Sequence, residues 1–255
     1  MDAVVRRLEA FAIPRYESEG DDEGQRMNWR DYWNQDTPIY VNERHKLLHY
    51  RQVANDIADL IISPRSNVLD YGCGEALFAD RVATHTARLY LCDGAPLVRE
   101  RLSERFNGES RIQVLSPEDM NALPDNSLDL IVVNSLLQYL PLEDLRRLLK
   151  TWHAKLKSDG RLVLADVIPP GLSPLTDAKA LLIFAGQGGF LAAALTGLVR
   201  TAFSDYRKIR EEIGLSTYSE AEIADLLRDA GFNTERQPRN LGHNQARMTF
   251  VGRPR

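Results

Sequence analysis

A chain of 255 residues, 44% hydrophobic and 27% charged, is long enough to bury a sizeable core and reads as soluble and globular. Its net charge of -4 offers no broad basic field, which argues against a nucleic-acid partner held by phosphate attraction. Two cysteines, Cys73 and Cys92, show no zinc spacing with histidine, and the first residues lack the apolar run of a signal peptide; small-residue packing and a cytoplasmic setting are expected.

In chain order, Val4, Val5, Leu8, Phe11 and Ala12 space one face of a short helix that Pro14 closes. Residues 17–24 are acidic and carry no large apolar side chain, as a solvated linker does. Met27, Trp29, Tyr32, Trp33 and Tyr40 then crowd together, to pack on the core or to roof a cleft. A helix from about Asn42 to Ile62 follows, with Leu47, Leu48, Val53, Ala54, Ile57, Ala58 and Ile61 at helical spacing. Residues 1–62 thus read as a helical N-terminal segment or lid ahead of a domain over 63–255.

Val68 to Tyr71 reads as a buried strand ending in a glycine turn, Gly72-Cys73-Gly74, before a helix that begins near Ala76. Two glycines let the backbone turn tightly and let a ligand approach where a Cβ would stand. Nineteen residues beyond Gly74, the strand Leu89–Cys92 ends in Asp93, an acid placed to accept ribose hydroxyls. A dinucleotide site would want a third glycine where Leu77 stands, and Asp70 would repel its pyrophosphate. S-adenosylmethionine carries no phosphate, presents a sulfonium and an amino group, and keeps a ribose.

The run Val-Leu-Asp-Tyr-Gly-Cys-Gly-Glu-Ala over 68–76 resembles the first motif of the class I S-adenosylmethionine-dependent methyltransferases, of the small-molecule type. That resemblance implies a cofactor held by Asp70, Gly72, Cys73, Gly74, Asp93 and Gly94. Ser116 to Asp129 is similar to the family's acidic loop, which implies Asp119 on the adenine amino group and Met120 beside the ring. The family often uses its N-terminal segment as a lid, which implies Tyr40 or Arg44 near the methionyl carboxylate.

Strand four, Leu128 to Asn134, is almost wholly apolar, as a strand buried on both faces should be. Ligands bind beyond such carboxyl ends, which marks Asn134 and Ser135 for the cofactor and Gln138 and Tyr139 for the substrate. No Asn/Asp-Pro-Pro-aromatic run and no Pro-Cys pair follows, which argues against amino or C5 methylation of a base. A helix from Pro141 to Lys157 and a turn at Ser158-Asp159-Gly160 lead into strand five, 161–168, where the match to the family continues. Alternating strands and helices predict an α/β fold with a doubly wound, mostly parallel sheet. The resemblance adds the count of seven strands and an antiparallel strand near the C-terminus.

An insertion over about 170–218 is the least familial part. Its apolar stretch, 178–203, is broken by Gly186-Gln187-Gly188-Gly189, so it predicts two short helices rather than a membrane span. The pair either caps the active-site mouth, with Phe184 toward an apolar substrate, or forms a core or homodimer contact. Ser219 reads as an N-cap, Gly231 as the stop, and two strands near 233–237 and 246–252 close the chain.

Methyl transfer needs a protein base only when the nucleophile arrives protonated. Candidates are His45, His49, Tyr139 and His243; His153 lies mid-helix, and His243 sits in what reads as a hairpin tip remote from the cleft. No residue set predicts a metal; Asp166 and Asn134 stand isolated. The function predicted is S-adenosylmethionine-dependent methyl transfer to O, N or C of a small apolar or amphipathic metabolite. The alternatives are a non-catalytic cofactor-binding scaffold and an NAD-linked oxidoreductase.

Overall fold

The computed structural model describes residues 40–201 and 215–255. The expected helix over 1–13, the acidic linker, the aromatic cluster before Tyr40 and most of the charged 204–218 segment lie outside these residues.

Seven strands form one sheet: β1 (Asn67–Tyr71), β2 (Arg88–Cys92), β3 (Ile112–Leu115), β4 (Leu128–Asn134), β5 (Leu156–Val167), β6 (Phe232–Arg236) and β7 (Met248–Pro254). Their order is β3-β2-β1-β4-β5-β7-β6, and only β7 runs antiparallel to its neighbours. The parallel, doubly wound sheet with a reversed C-terminal strand is therefore as the sequence predicts. Strand five begins five residues earlier than expected, because Leu156 pairs with Leu128 across a bulge before Arg161 resumes the ladder.

Side chains alternate across the sheet and feed two apolar layers. Leu69, Ile131, Val133, Leu162 and Leu164 point to one face, where Trp152 of helix α5 (Leu142–Lys155) and Leu227 of α8 (Glu220–Asp229) cover them. Val68, Leu130, Val132 and Val163 point to the other, under Ala54 and Ile57 of α1 (Glu43–Leu60), Val82 of α2 (Ala79–Ala83) and Leu102 of α3 (Pro96–Arg105). Burial on both faces is why β4 can be a continuous apolar run.

Helix α2 is shorter than expected. Ala76 takes a left-handed φ of 39°, so residues before Ala79 turn rather than coil. A short helix, α4 (Pro117–Asn121), follows β3, and α6 (Pro174–Gly188) and α7 (Leu191–Thr201) form the insertion. Gly189, at φ 71°, ends α6 in a left-handed cap. Ala185, Phe190 and Ala194 of this pair pack on Val41 and Leu48, so the insertion braces α1.

Candidate functional site

The strand order reverses between β1 and β4, and the crevice beyond their carboxyl ends opens into a cavity of about 1230 Å³. Gly72 and Gly74 turn through φ of 77° and 56°, a region that costs a side-chain-bearing residue energy. A Cβ on Gly72 would stand 3.0 Å from Leu136, just beyond β4, and one on Gly74 would stand 2.9 Å from the Tyr50 hydroxyl. The turn is thus a bare backbone surface wedged between β4 and α1.

Two acids face it. Asp93 accepts from Gly74 N at 3.0 Å and from Ala95 N at 2.8 Å, which leaves lone pairs on both oxygens for further donors. The Asp70 carboxylate lines the cavity and has no hydrogen bond or ion pair among the described residues. Burial, and then the neighbouring Asp93, push Asp70 up to about 7. An unpaired acid held near neutrality invites a cation and resists a phosphate, since a cation restores the charged form and a second anion opposes it. The chain's own residues therefore fit S-adenosylmethionine and disfavour a dinucleotide.

Helix α1 is tied over this turn. Tyr50 accepts from Glu75 N at 3.1 Å, Lys46 pairs with the Glu75 carboxylate at 2.6 Å, and Arg105 donates to the Glu75 carbonyl at 2.5 Å. Asn42 caps the helix through His45 N at 2.8 Å, which sets its start and so the direction of Tyr40, His45 and His49.

Of the residues expected at the site, Asp70, Gly72, Cys73, Gly74, Asp93, Gly94, Asn134, Ser135, Gln138, Tyr139, Tyr40, His45 and His243 line the cavity. Asp119 and Met120 do not. Asp119 caps its own helix, accepting from Ser116 N and Oγ at 3.1 and 2.8 Å, and Met120 is fully buried in the core. Glu118 and Asn121, three residues apart on α4, face the cavity instead. The distance from the end of β3 sets which residues face inward, and a count back from Leu123-Pro124 does not. Arg44 is also displaced: its Nε donates to the Gly188 carbonyl at the end of α6. Phe184 lies behind the wall, stacked on His243 at 4.6 Å between ring centroids, because α6 packs outside α1.

The histidine expected at a remote hairpin tip is at the cavity wall. The 240–247 loop folds back across the end of β5, where Asn240 Oδ1 accepts from Asp166 N at 3.0 Å, and Gly242 N donates to Asp56 of α1 at 2.7 Å. His243 then lies 6.3 Å from His45 and 6.1 Å from His49, centroid to centroid. Tyr40 and Tyr50 complete this aromatic corner, with Tyr40 5.6 Å from His49. Burial pushes His45 down to about 4 and His49 to about 3, and lowers His243 as well, so all three rings are neutral at pH 7. His49 follows His45 by one helical turn, a spacing visible in the sequence; Tyr50 and Arg247 gave no such signal.

Beside this corner the ends of β4 and β5 are both strained. Ser135 and Asp166 hold φ of 55° and 60°, and Ser135 Oγ donates to Asp166 at 2.7 Å. Arg247 donates to Asp166 at 2.8 Å and to Asp177 at 3.1 Å, and those two carboxylates hold its guanidinium firmly charged. Non-glycine residues in this region cost about 1–3 kcal/mol each and persist where surrounding bonds over-determine them. His153 packs edge-on to Phe232 at 4.9 Å, a core contact. Among the described residues, no group of three metal-ligating side chains gathers and no helix is long and apolar enough to cross a membrane.

Known proteins share this fold. The chain is 29% identical over 117 residues to a carboxy-S-adenosyl-L-methionine synthase of Erwinia tasmaniensis, a match covering 43% of this chain and 47% of that protein. It spans about half the length, or less, of the curated relatives it matches. Among solved structures, the mitomycin 7-O-methyltransferase MmcR is similar with a TM-score of 0.57 at 17% identity, over 89% of this chain and 61% of that one. Magnesium protoporphyrin IX methyltransferase from Synechocystis, with bound SAH, is similar with a TM-score of 0.51 at 17% identity, over 88% and 90%. These likenesses concern the fold. The family model described as "Methyltransferase domain" matches residues 42–237, most of the chain. The chain therefore belongs to the S-adenosylmethionine-dependent methyltransferases, and the dinucleotide alternative falls with that assignment.

Proposed function

We propose that this protein methylates a hydroxyl or amine of a small amphipathic metabolite, in the cytoplasm, with His243 taking the acceptor's proton. S-adenosylmethionine supplies, when bound, an electrophilic methyl group on sulfur. Asp70 would offset the cofactor's positive charge, Asp93 would accept from its ribose, and Glu118, in place of Asp119, would border the adenine. The acceptor would lie between Gln138, Tyr139 and Leu140 on one side and the histidine corner on the other, a wall of mixed polarity.

One observation carries the choice of base. His243 is neutral at the cavity wall, yet Asp166 and Asp177 lie close enough to favour its charged form against burial and Arg247. An imidazole so placed can receive a proton, whereas His49, pushed down to about 3, would hold one poorly. The test is methyl transfer across a panel of amphipathic alcohols and amines by the wild type and His243→Asn. The variant should lose about 10²–10⁴ in kcat with unchanged cofactor affinity, the span general-base removal commonly covers. Wild-type turnover by the variant would remove the base assignment. Cofactor binding without turnover on any acceptor would favour the non-catalytic scaffold reading.

A further inference from the structure

The loop that carries His243 is gripped by helix α6 at two points. Asp177, in the helix's first turn, accepts from Asn244 Nδ2 at 2.7 Å and from Arg247 Nη2 at 3.1 Å. Phe184, seven residues on and so on the same helix face, lies flat on the His243 ring with an interplanar angle of 15°. One grip holds the residue after His243, and the other holds the ring itself. None of the residues of α6 lines the cavity.

We infer that Asp177 and Phe184 are positioning residues for His243, and that the insertion's first helix orients the base rather than contacting the acceptor. This rests on His243 being the base. The polar grip fixes where the loop lies and the stacked ring fixes which way the imidazole turns. A proton acceptor misplaced by about an ångström can cost on the order of a hundredfold in rate. The groups that face His243 are His45 and His49 on α1, Asp166 at the end of β5, Asp177 on α6, and Arg247, while Asp56 on α1 holds the neighbouring Gly242 N. Of these only Asp177 belongs to α6; its removal also takes one of the two carboxylates from Arg247, which keeps its 2.8 Å bond to Asp166.

The experiment compares kcat, KM and the pH dependence of kcat for the wild type, Asp177→Asn, Phe184→Leu, Phe184→Tyr and His243→Asn. Cofactor affinity and melting temperature serve as controls. Asp177→Asn and Phe184→Leu should lower kcat roughly ten- to a hundredfold, with cofactor affinity kept and KM changed less than kcat. Phe184→Tyr, which keeps the ring, should recover most of the loss. Asp177 favours the protonated form of His243, so removing its charge should move the acid limb of the Asp177→Asn profile to lower pH. A purely structural role would leave that limb in place. Wild-type kcat and profile in Asp177→Asn, beside an inactive His243→Asn, would overturn the inference and leave the base intact. A fully active His243→Asn would overturn both.

Discussion

The two halves of the cavity are built differently. The half proposed for the cofactor is local: Asp70, Gly72, Cys73 and Gly74 are nearly consecutive, and Asp93 joins them because β2 pairs directly with β1. The half proposed for the acceptor is assembled from segments far apart in the chain. His45 and His49 come from α1, Ser135 and Tyr139 from beyond β4, Asp166 from β5 and His243 and Arg247 from the loop before β7. A half made of backbone turns tolerates few residues at each position. One made of side chains brought together by packing can be re-cut by moving a helix, which suits the part that chooses an acceptor.

Substitutions should separate the two halves, and Gly74→Val is the harshest test. It places a β-branched residue at φ 56°, sets a Cβ 2.9 Å from the Tyr50 hydroxyl and strains the Gly74–Asp93 bond. The backbone term alone costs about 1–3 kcal/mol, so cofactor affinity by calorimetry should fall tenfold or more. Retained affinity would mean that the turn is not the cradle.

Asp70→Asn is milder and more specific. In the free protein Asp70 titrates near 7, and a bound sulfonium and ammonium favour its carboxylate. Binding therefore releases a proton below that pH, and affinity for S-adenosylmethionine should rise as pH climbs from 6 through 8. Asp70→Asn should flatten this slope and weaken S-adenosylmethionine more than the uncharged-sulfur product, S-adenosylhomocysteine. Equal losses for the two ligands would place the sulfonium elsewhere.

The smallest effect belongs to the acceptor half. Unfolded histidines protonate near 6.5, whereas His45 and His49 in the fold do so only at about 4 and about 3. Between 6.5 and 4 the unfolded chain binds more protons than the folded one, so stability is lost as pH falls through that window. The melting temperature should drop between pH 7 and 5, and less steeply in His49→Gln. A flat melting profile in the wild type would show that the corner is wetter than its packing implies.

The first strand, its glycine turn, the acid at the end of β2 and the apolar run of β4 were legible in the order of residues. Each rests on short-range rules: burial on two faces, backbone freedom at glycine, and ligands at strand ends. Nearly all of the cavity wall around that turn followed from them. Asp119 and Met120, expected beside the adenine, do not line the cavity, because Ser116 starts a helical turn at once after β3, and that turn brings Glu118 and Asn121 inward. His243 looked remote because hairpin tips usually are. Here hydrogen bonds accepted by Asn240 and Asp56, and an Arg247 ion-paired with two acids 11 residues apart, fold its loop back over β5. Those bonds join residues up to 186 positions apart. Sequence order thus settled the sheet and the glycine turn at the cavity, whose forces act between neighbours. Only tertiary packing decided which imidazoles line the cavity, because that depends on where distant helices and loops come to rest.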